Sequence, residues 1–286
     1  MDGPILPPFR TAFGVDFSGA KRAGRTAWVA EVAAAPDGGH LPRLVGLAPL
    51  GRLAGDDARG PALAWLVERI RRSENALWAV DAPFGLPIEL YDGGWDEQLE
   101  VVRAWGGDAY AFGLHCVERA RTRCGTMHPR RRTDLEAKTP FDCTHYRIIY
   151  QTFHAMRDVV APLRADAGVC VLPFDWPSLP TARRVVVESC PASVLKRHGL
   201  PHRNYKQPAG GRLERFRLRN RQQIARWLED RCEISRHRRR VMLTDPGGDA
   251  LDAVLCAVGG LAAVRAADLA SVRDDVRYGR EGYIFG

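Results

Sequence analysis

Five acidic residues lie where apolar segments of the sequence end or begin. Asp16, Asp81 and Glu188 each close a short apolar run. Asp249 and Asp252 lie at the start of a long apolar stretch over residues 248–264. Strand ends in an α/β sheet meet at the crevice where such folds bind ligands. We therefore expect separate parts of the chain to bring these carboxylates, the predicted catalytic residues, to one place.

Asp249 and Asp252 have the spacing of two residues on one face of a helix. Acidic residues are also favoured at a helix amino end by the helix dipole, so a purely structural role for Asp249 stays open. Asp252 borders apolar residues that must face the sheet. A buried carboxylate there is costly unless a metal, another cation or a proton neutralises it.

Carboxylates grouped without histidine or cysteine favour hard cations, which here means Mg²⁺ or Mn²⁺. Two such ions ~3.5 to 4 Å apart can activate water and stabilise the leaving oxygen of a phosphoryl displacement. This chemistry suits a phosphodiester substrate. The predicted metal ligands are Asp16, Asp81, Asp249 and Asp252.

The segments that carry these residues predict an α/β domain with a mixed sheet. Short apolar or alternating runs predict strands at residues 11–17, 26–35, 41–50, 76–82, 169–172 and 184–188. Helical spacing predicts helices at residues 61–72, 212–233 and 248–264. The first three strands, two of them joined by a predicted turn at 36–39, indicate an antiparallel meander. The later strands indicate parallel pairing.

Residues 84–160 interrupt this pattern, because glycines and aromatic residues are mixed there without a regular period. Helices are predicted within this stretch near 97–104 and 146–160. The sequence therefore predicts a single domain over residues 11–286 that contains an inserted helical subregion at 84–160.

Four motifs occur in a fixed order along the chain. They are GVDFSGAKR at 14–22, AVDAPFGLP at 79–87, VVESCPASVLK at 186–196 and DALDAVLCAVGG at 249–260. Together they resemble the motif series of the DUF429 family, which is described as predicted nucleases with a ribonuclease H-like fold. The resemblance spans most of the chain, and it is less clear over the insertion and after residue 212.

The resemblance implies a ribonuclease H-like sheet and a metal-dependent nuclease. The wider superfamily, which includes Holliday-junction resolvases, uses an aspartate on the first strand, an acidic residue on the fourth and an Asp-x-x-Asp-like pair on the last helix. By motif, these fall on Asp16, Asp81, Asp249 and Asp252. Glu188 matches the family's Glu-x-x-Pro pattern, and we expect it to make a supporting contact in the site, for which Lys196 is one partner.

Several basic or polar residues are candidates for binding substrate. Ser18 and Lys21 follow the first strand and could hold a phosphate, Arg132 belongs to an arginine cluster, and Lys196 follows Glu188. A net charge of +8 agrees with DNA or RNA as the partner, although only four of the 42 basic residues are lysines. A solvated surface is the alternative for each cluster. Aromatic residues of the insertion could stack bases, although packing in the core is the commoner role; examples are Trp95, Trp105 and Tyr110.

The cysteines and the apolar runs bear on localisation. The seven cysteines form no regular framework, which is typical of the reducing cytoplasm. The longest apolar run, 251–264, is shorter than the ~18 to 20 residues of a membrane span, and the first ten residues do not resemble a signal peptide. We therefore expect a soluble cytoplasmic protein. A zinc site at Cys116, Cys124 and His128 and a nucleophilic Cys190 are not favoured.

Two other functions stay open. Actin-like sugar kinases, which transfer phosphate from ATP, share this type of sheet, and a phosphate-binding turn of theirs resembles DFSGAK at 16–21. They normally pair two such domains, whereas one set of motifs is visible here. The other alternative is a noncatalytic module that has the same fold and binds nucleic acid.

Overall fold

Six short apolar runs form one mixed sheet in the computed structural model, which describes residues 4–35, 40–207 and 212–286. The order of the strands across the sheet is β3-β2-β1-β4-β6-β5. The strands are β1 (Thr11–Asp16), β2 (Trp28–Ala33), β3 (Arg43–Pro49), β4 (Ala76–Val80), β5 (Val169–Leu172) and β6 (Arg184–Glu188). The predicted turn at 36–39 lies outside the described residues.

The sheet is antiparallel at one side and parallel at the other, as predicted. Strand β2 is antiparallel to both β1 and β3, whereas β4 is parallel to β1 and β6, and β6 is parallel to β5. The register pairs Val15 with Val80 and Val80 with Glu188. The carboxyl ends of β1, β4 and β6 therefore lie side by side.

Helices occupy both faces of the sheet. They are α1 (Ala23–Thr26), α2 (Leu50–Ala54), α3 (Arg59–Arg72), α4 (Trp95–Ala104), α5 (Ala109–Cys124), α6 (Arg132–Glu136), α7 (Ile149–His154), α8 (Ala161–Arg164), α9 (Pro191–Arg197), α10 (Arg215–Glu229), α11 (Arg236–Thr244), α12 (Asp249–Ala266), α13 (Leu269–Asp274) and α14 (Tyr278–Glu281). A π-helical stretch (Ala155–Val160) joins α7 to α8, and a 3₁₀ helix (Trp176–Thr181) follows β5.

Two apolar layers hold these helices on the sheet. On one face, Phe13 and Trp78 stack with ring centroids 4.0 Å apart and pack with α3, α5 and α7. On the other face, α10 and α12 pack on β2 and β3. Helix α12 lies directly on β1, because a Cβ built on Gly14 would be only 2.0 Å from the Ala253 carbonyl oxygen. This contact sets the distance between the end of β1 and the start of α12.

The stretch between β4 and β5 contains five helices, α4 to α8, and no strand. Two of the helical regions were predicted, near 97–104 and 146–160, whereas α5 was not. The division into one domain with an insertion at 84–160 stays a prediction. Within the described residues, no helix has the length and apolar character needed to cross a membrane.

Candidate active site

Two strands place Asp16 and Asp81 next to each other. Asp16 is the last residue of β1 and is 6% exposed. Asp81 follows β4, and its backbone N–H donates to the Val15 carbonyl oxygen at 2.9 Å. Because β1 and β4 are parallel neighbours, both aspartates emerge at the same edge of the sheet. Both line a pocket of about 700 Å³.

Helix α12 brings Asp249 and Asp252 to the same pocket. Both lie in its first turns, after Gly248, whose φ of +83° is a left-handed conformation that favours glycine. Asp252 is only 2% exposed. The contact between α12 and β1 therefore positions Asp249 and Asp252 beside Asp16 and Asp81. All four predicted metal ligands line one pocket.

Lys206 is the cation of this cluster, and no sequence pattern singled it out. Its Nζ lies 2.5 Å from Asp252 Oδ2 and 3.5 Å from Asp249 Oδ1. Tyr205 donates its hydroxyl hydrogen to Asp252 Oδ1 at 2.9 Å. Both residues belong to a stretch without helix or strand over residues 200–207. The two carboxylates of α12 are therefore already paired with an ammonium group.

Burial and crowding of the carboxylates change their pKa values. Burial, followed by repulsion from Asp252, raises the pKa of Asp81 to about 7. Burial also raises the pKa of Asp16 and of Asp249, while Lys206 opposes each of these shifts. Although burial lowers the pKa of Lys206, the surrounding carboxylates hold it well above its usual range. The site therefore holds more negative charge than Lys206 alone neutralises.

Asp16 and Asp81 differ from the pair on α12 in having no cation of their own. Among the described residues, none donates a side-chain hydrogen bond or forms an ion pair to either carboxylate. Four carboxylates without nitrogen or sulfur ligands are chemically suited to a hard divalent cation. In the arrangement described for 4–35, 40–207 and 212–286, no three His, Cys, Asp or Glu side chains form a group that could hold a metal ion.

These two observations are compatible for Mg²⁺, which often binds through one or two carboxylates and completes its shell with waters and substrate phosphates. Asp16 and Asp81 fit such a site. Asp249 and Asp252, also predicted as ligands, would first have to give up their contacts with Lys206.

Glu188 lines the pocket but is bound by an arginine from the insertion. Arg131 Nη1 and Nη2 lie 2.8 and 2.5 Å from its two carboxylate oxygens, and the Phe84 N–H donates to Oε2 at 3.0 Å. Arg131 also pairs with Asp134 at 2.9 Å. Glu188, Arg131 and Asp134 are all buried. Glu188 therefore holds Arg131 in place beneath the pocket. Among the described residues, no hydrogen bond or ion pair joins Glu188 to Lys196, which was its predicted partner.

The predicted substrate-binding residues fall into two groups. Ser18 and Lys196 line the pocket. Lys21 lines a separate depression beside Arg59, because α1 turns the chain away from the pocket after the first strand. Arg132 also lies outside the pocket lining and pairs instead with Glu136 and Asp275, at 2.8 and 2.6 Å. Its neighbour Arg131 is the residue of that cluster that points inward.

The cysteines and aromatic residues considered from sequence differ in burial. Cys190 lines the pocket, but burial raises its pKa to about 12, which disfavours the thiolate that a nucleophile needs. Cys116 is fully buried, and Cys124 is exposed. Trp95 is buried and stacks on Phe174, whereas Tyr110 is 54% exposed.

Lys206 could have been found from composition. The chain uses lysine only four times among 42 basic residues, and a compact ammonium suits a carboxylate cluster better than the planar guanidinium group does. Arg131 had no comparable signal, because it is one of three consecutive arginines.

Comparison with known proteins gives one match. The model of a family described as "Protein of unknown function (DUF429)" matches residues 14–276. No curated protein and no solved structure matches the chain.

Proposed function

The chain belongs to the DUF429 family, and because the name of the matching family model states no activity, we propose a function from the site itself: a metal-dependent nuclease that hydrolyses phosphodiester bonds. The observation that carries this proposal is the pair of carboxylates of Asp16 and Asp81. They follow neighbouring parallel strands and line the same pocket, and among the described residues neither forms an ion pair or accepts a side-chain hydrogen bond. Such a pair is stabilised by a divalent cation or by protons.

The arrangement of the sheet supports a ribonuclease H-like fold. Three antiparallel strands are followed by parallel strands, and the acidic residues lie at the ends of β1 and β4 and at the start of α12. This is the pattern expected from the motif resemblance. A single six-stranded sheet in the described part of the chain favours this proposal over a two-domain kinase.

Asp16 and Asp81 would hold the ion, and Asp252 lies next to them. When bound, Mg²⁺ or Mn²⁺ would supply Lewis-acid activation of water and would neutralise charge on the phosphate. Lys206 already occupies the space beside Asp249 and Asp252 and pairs with both, so we propose one ion acting with Lys206 instead of two ions. Fixed by its two carboxylates, the ammonium can stabilise negative charge that develops on a phosphate oxygen.

The test is cleavage of labelled single-stranded, duplex, hybrid and four-way nucleic acids with Mg²⁺, Mn²⁺ or a chelator. We expect cleavage only with a divalent ion, and Asp16→Asn should reduce it by about 100-fold or more, because one preorganised electrostatic group is lost. Nucleic-acid affinity should be retained in this variant. The matched control is Asp230→Asn, which changes an exposed aspartate outside the pocket.

Equal cleavage by wild type and Asp16→Asn, or cleavage that persists in chelator, would exclude the proposed role of this site. Phosphate transfer from ATP without cleavage of any nucleic acid would favour the kinase. Binding of nucleic acid without turnover under every metal condition would favour the noncatalytic module.

A further inference from the structure

A row of three rings, half-buried at Phe141 and His145 and exposed at Tyr146, lies beside the carboxylate pocket. Phe141 lines the pocket, and its ring centroid is 4.5 Å from that of His145, with 30° between the planes. His145 and Tyr146 are 4.4 Å apart at 31°. Tyr146 is 64% exposed. We call Phe141, His145, Tyr146 and Arg147 the ring platform. A large aromatic ring this exposed gains little from packing within the chain.

Arg147 completes the ring platform. Its guanidinium carbon lies 5.5 Å from the Phe141 centroid and 5.7 Å from the Tyr146 centroid, and its Nε donates to the Tyr146 hydroxyl at 3.2 Å. The guanidinium group is therefore held among the rings, where it can stack as well as attract an anion.

The helix that follows the ring platform, α7, contacts the residues that follow Asp16. Gln151 donates a side-chain hydrogen bond to the Phe17 carbonyl oxygen at 2.7 Å. A Cβ built on Gly19 would lie 2.0 Å from the Tyr150 carbonyl oxygen, so the two backbones are in direct contact. The ring platform and the aspartates are therefore neighbouring parts of one surface.

Cations without carboxylate partners surround this surface. Lys196 and Arg203 line the pocket, and Arg147 is exposed at the ring platform. Within the described ranges, no carboxylate forms an ion pair with any of these three residues. Cations without carboxylate partners beside a row of aromatic rings match the chemistry of a polymer that combines flat bases with a phosphate backbone.

We propose that the ring platform binds the unpaired bases of a single-stranded nucleic acid. The inference rests on the proposed nuclease function and gives it a substrate class. In a duplex, the bases are stacked on each other and cannot use the ring platform. Stacking tolerates any base, so the ring platform selects strandedness rather than sequence. The adjacent cations hold the backbone, and the strand passes on to the pocket that contains Asp16 and Asp81.

The test measures binding by fluorescence anisotropy in the Asp16→Asn background with Mg²⁺. The probes are labelled oligothymidylate, oligouridylate, a duplex and an abasic strand. We expect Tyr146→Ala to weaken oligothymidylate and oligouridylate binding by about tenfold, and Tyr146→Phe to restore it. Tyr110→Ala is the matched control, since Tyr110 is a 54% exposed tyrosine of the same insertion outside the pocket. The abasic strand should bind more weakly than the oligonucleotides with bases, and neither substitution of Tyr146 should change its affinity.

Unchanged oligonucleotide binding in both Tyr146→Ala and Arg147→Ala, or tighter binding of duplex than of single strands, would overturn the proposal. A Tyr146-dependent affinity without cleavage by the wild type would sustain the ring platform and reject only the nuclease. Cleavage by the wild type, with binding unchanged in both Tyr146→Ala and Arg147→Ala, would sustain the nuclease and reject only the ring platform. The oligothymidylate and oligouridylate arms separate DNA from RNA.

Discussion

Replacing Asp81 by asparagine should change the stability of the metal-free protein in a manner that depends on pH. Burial and the neighbouring Asp252 raise the pKa of Asp81 from 3.8 to about 7, so the folded state binds this proton more tightly than the unfolded state. The stabilisation is fully present below about pH 3.8 and is lost as pH rises through about 7. Above that range, the charged carboxylate opposes folding.

The magnitude follows from the shift of about three units, each worth ~1.4 kcal/mol, which gives roughly 4 kcal/mol. Asparagine has nearly the same shape and no charge. In metal-free buffer, Asp81→Asn should therefore equal the wild type near pH 4 and exceed its free energy of unfolding by up to about 4 kcal/mol at pH 8. Mg²⁺ should remove most of this difference by stabilising only the wild type.

The assay is urea unfolding of both proteins across this pH range, with and without Mg²⁺, and Asp230→Asn serves as the control. A difference between Asp81→Asn and the wild type that does not vary with pH would refute the reasoning. It would mean that the Asp81 carboxylate does not experience the crowded anions around it.

Two further predictions concern the groups that hold the site together. Lys206→Met leaves the buried Asp252 without its cation and should lower the free energy of unfolding by about 3 kcal/mol in metal-free buffer. In a thermal shift assay, Mg²⁺ should stabilise this variant more than it stabilises the wild type. Equal stabilisation of both proteins would argue against competition between the ion and the Lys206 ammonium group. Gly14→Ala should cost about 3 kcal/mol or more in urea unfolding because its Cβ would meet the Ala253 carbonyl oxygen. Gly106→Ala, where nothing lies within 4 Å, is the control, and similar losses in both variants would contradict the packing argument.

The strands, and the change from antiparallel to parallel pairing, were largely predictable because most strands are short apolar runs bounded by polar or turn residues. The predicted strands at 169–172 and 184–188 agree with β5 and β6 at both ends. Helix α5 was missed because Gly113 and several aromatic residues obscure its period. No helix was predicted between the first two strands, where the short helix α1 lies.

The candidate site was predictable only where regular elements position its residues. Asp16 and Asp81 come together because parallel neighbours end at the same edge. Lys206 lies in an irregular stretch, where the spacing of residues along the chain does not predict the direction in which a side chain points. Arg131 and Arg132 show the same limit, since a shift of one residue at the start of α6 decides which arginine is buried and which is exposed.

The residues of the candidate active site differ in how firmly the fold holds them. Asp16 and Asp81 are held at strand ends, and Asp252 is held by a helix in close contact with β1. Lys206 and its neighbour Tyr205 come instead from a stretch without regular structure. In the metal site that we propose, substitutions around Lys206 would therefore change the ion preference, while the aspartates and the scaffold that carries them stay unaltered.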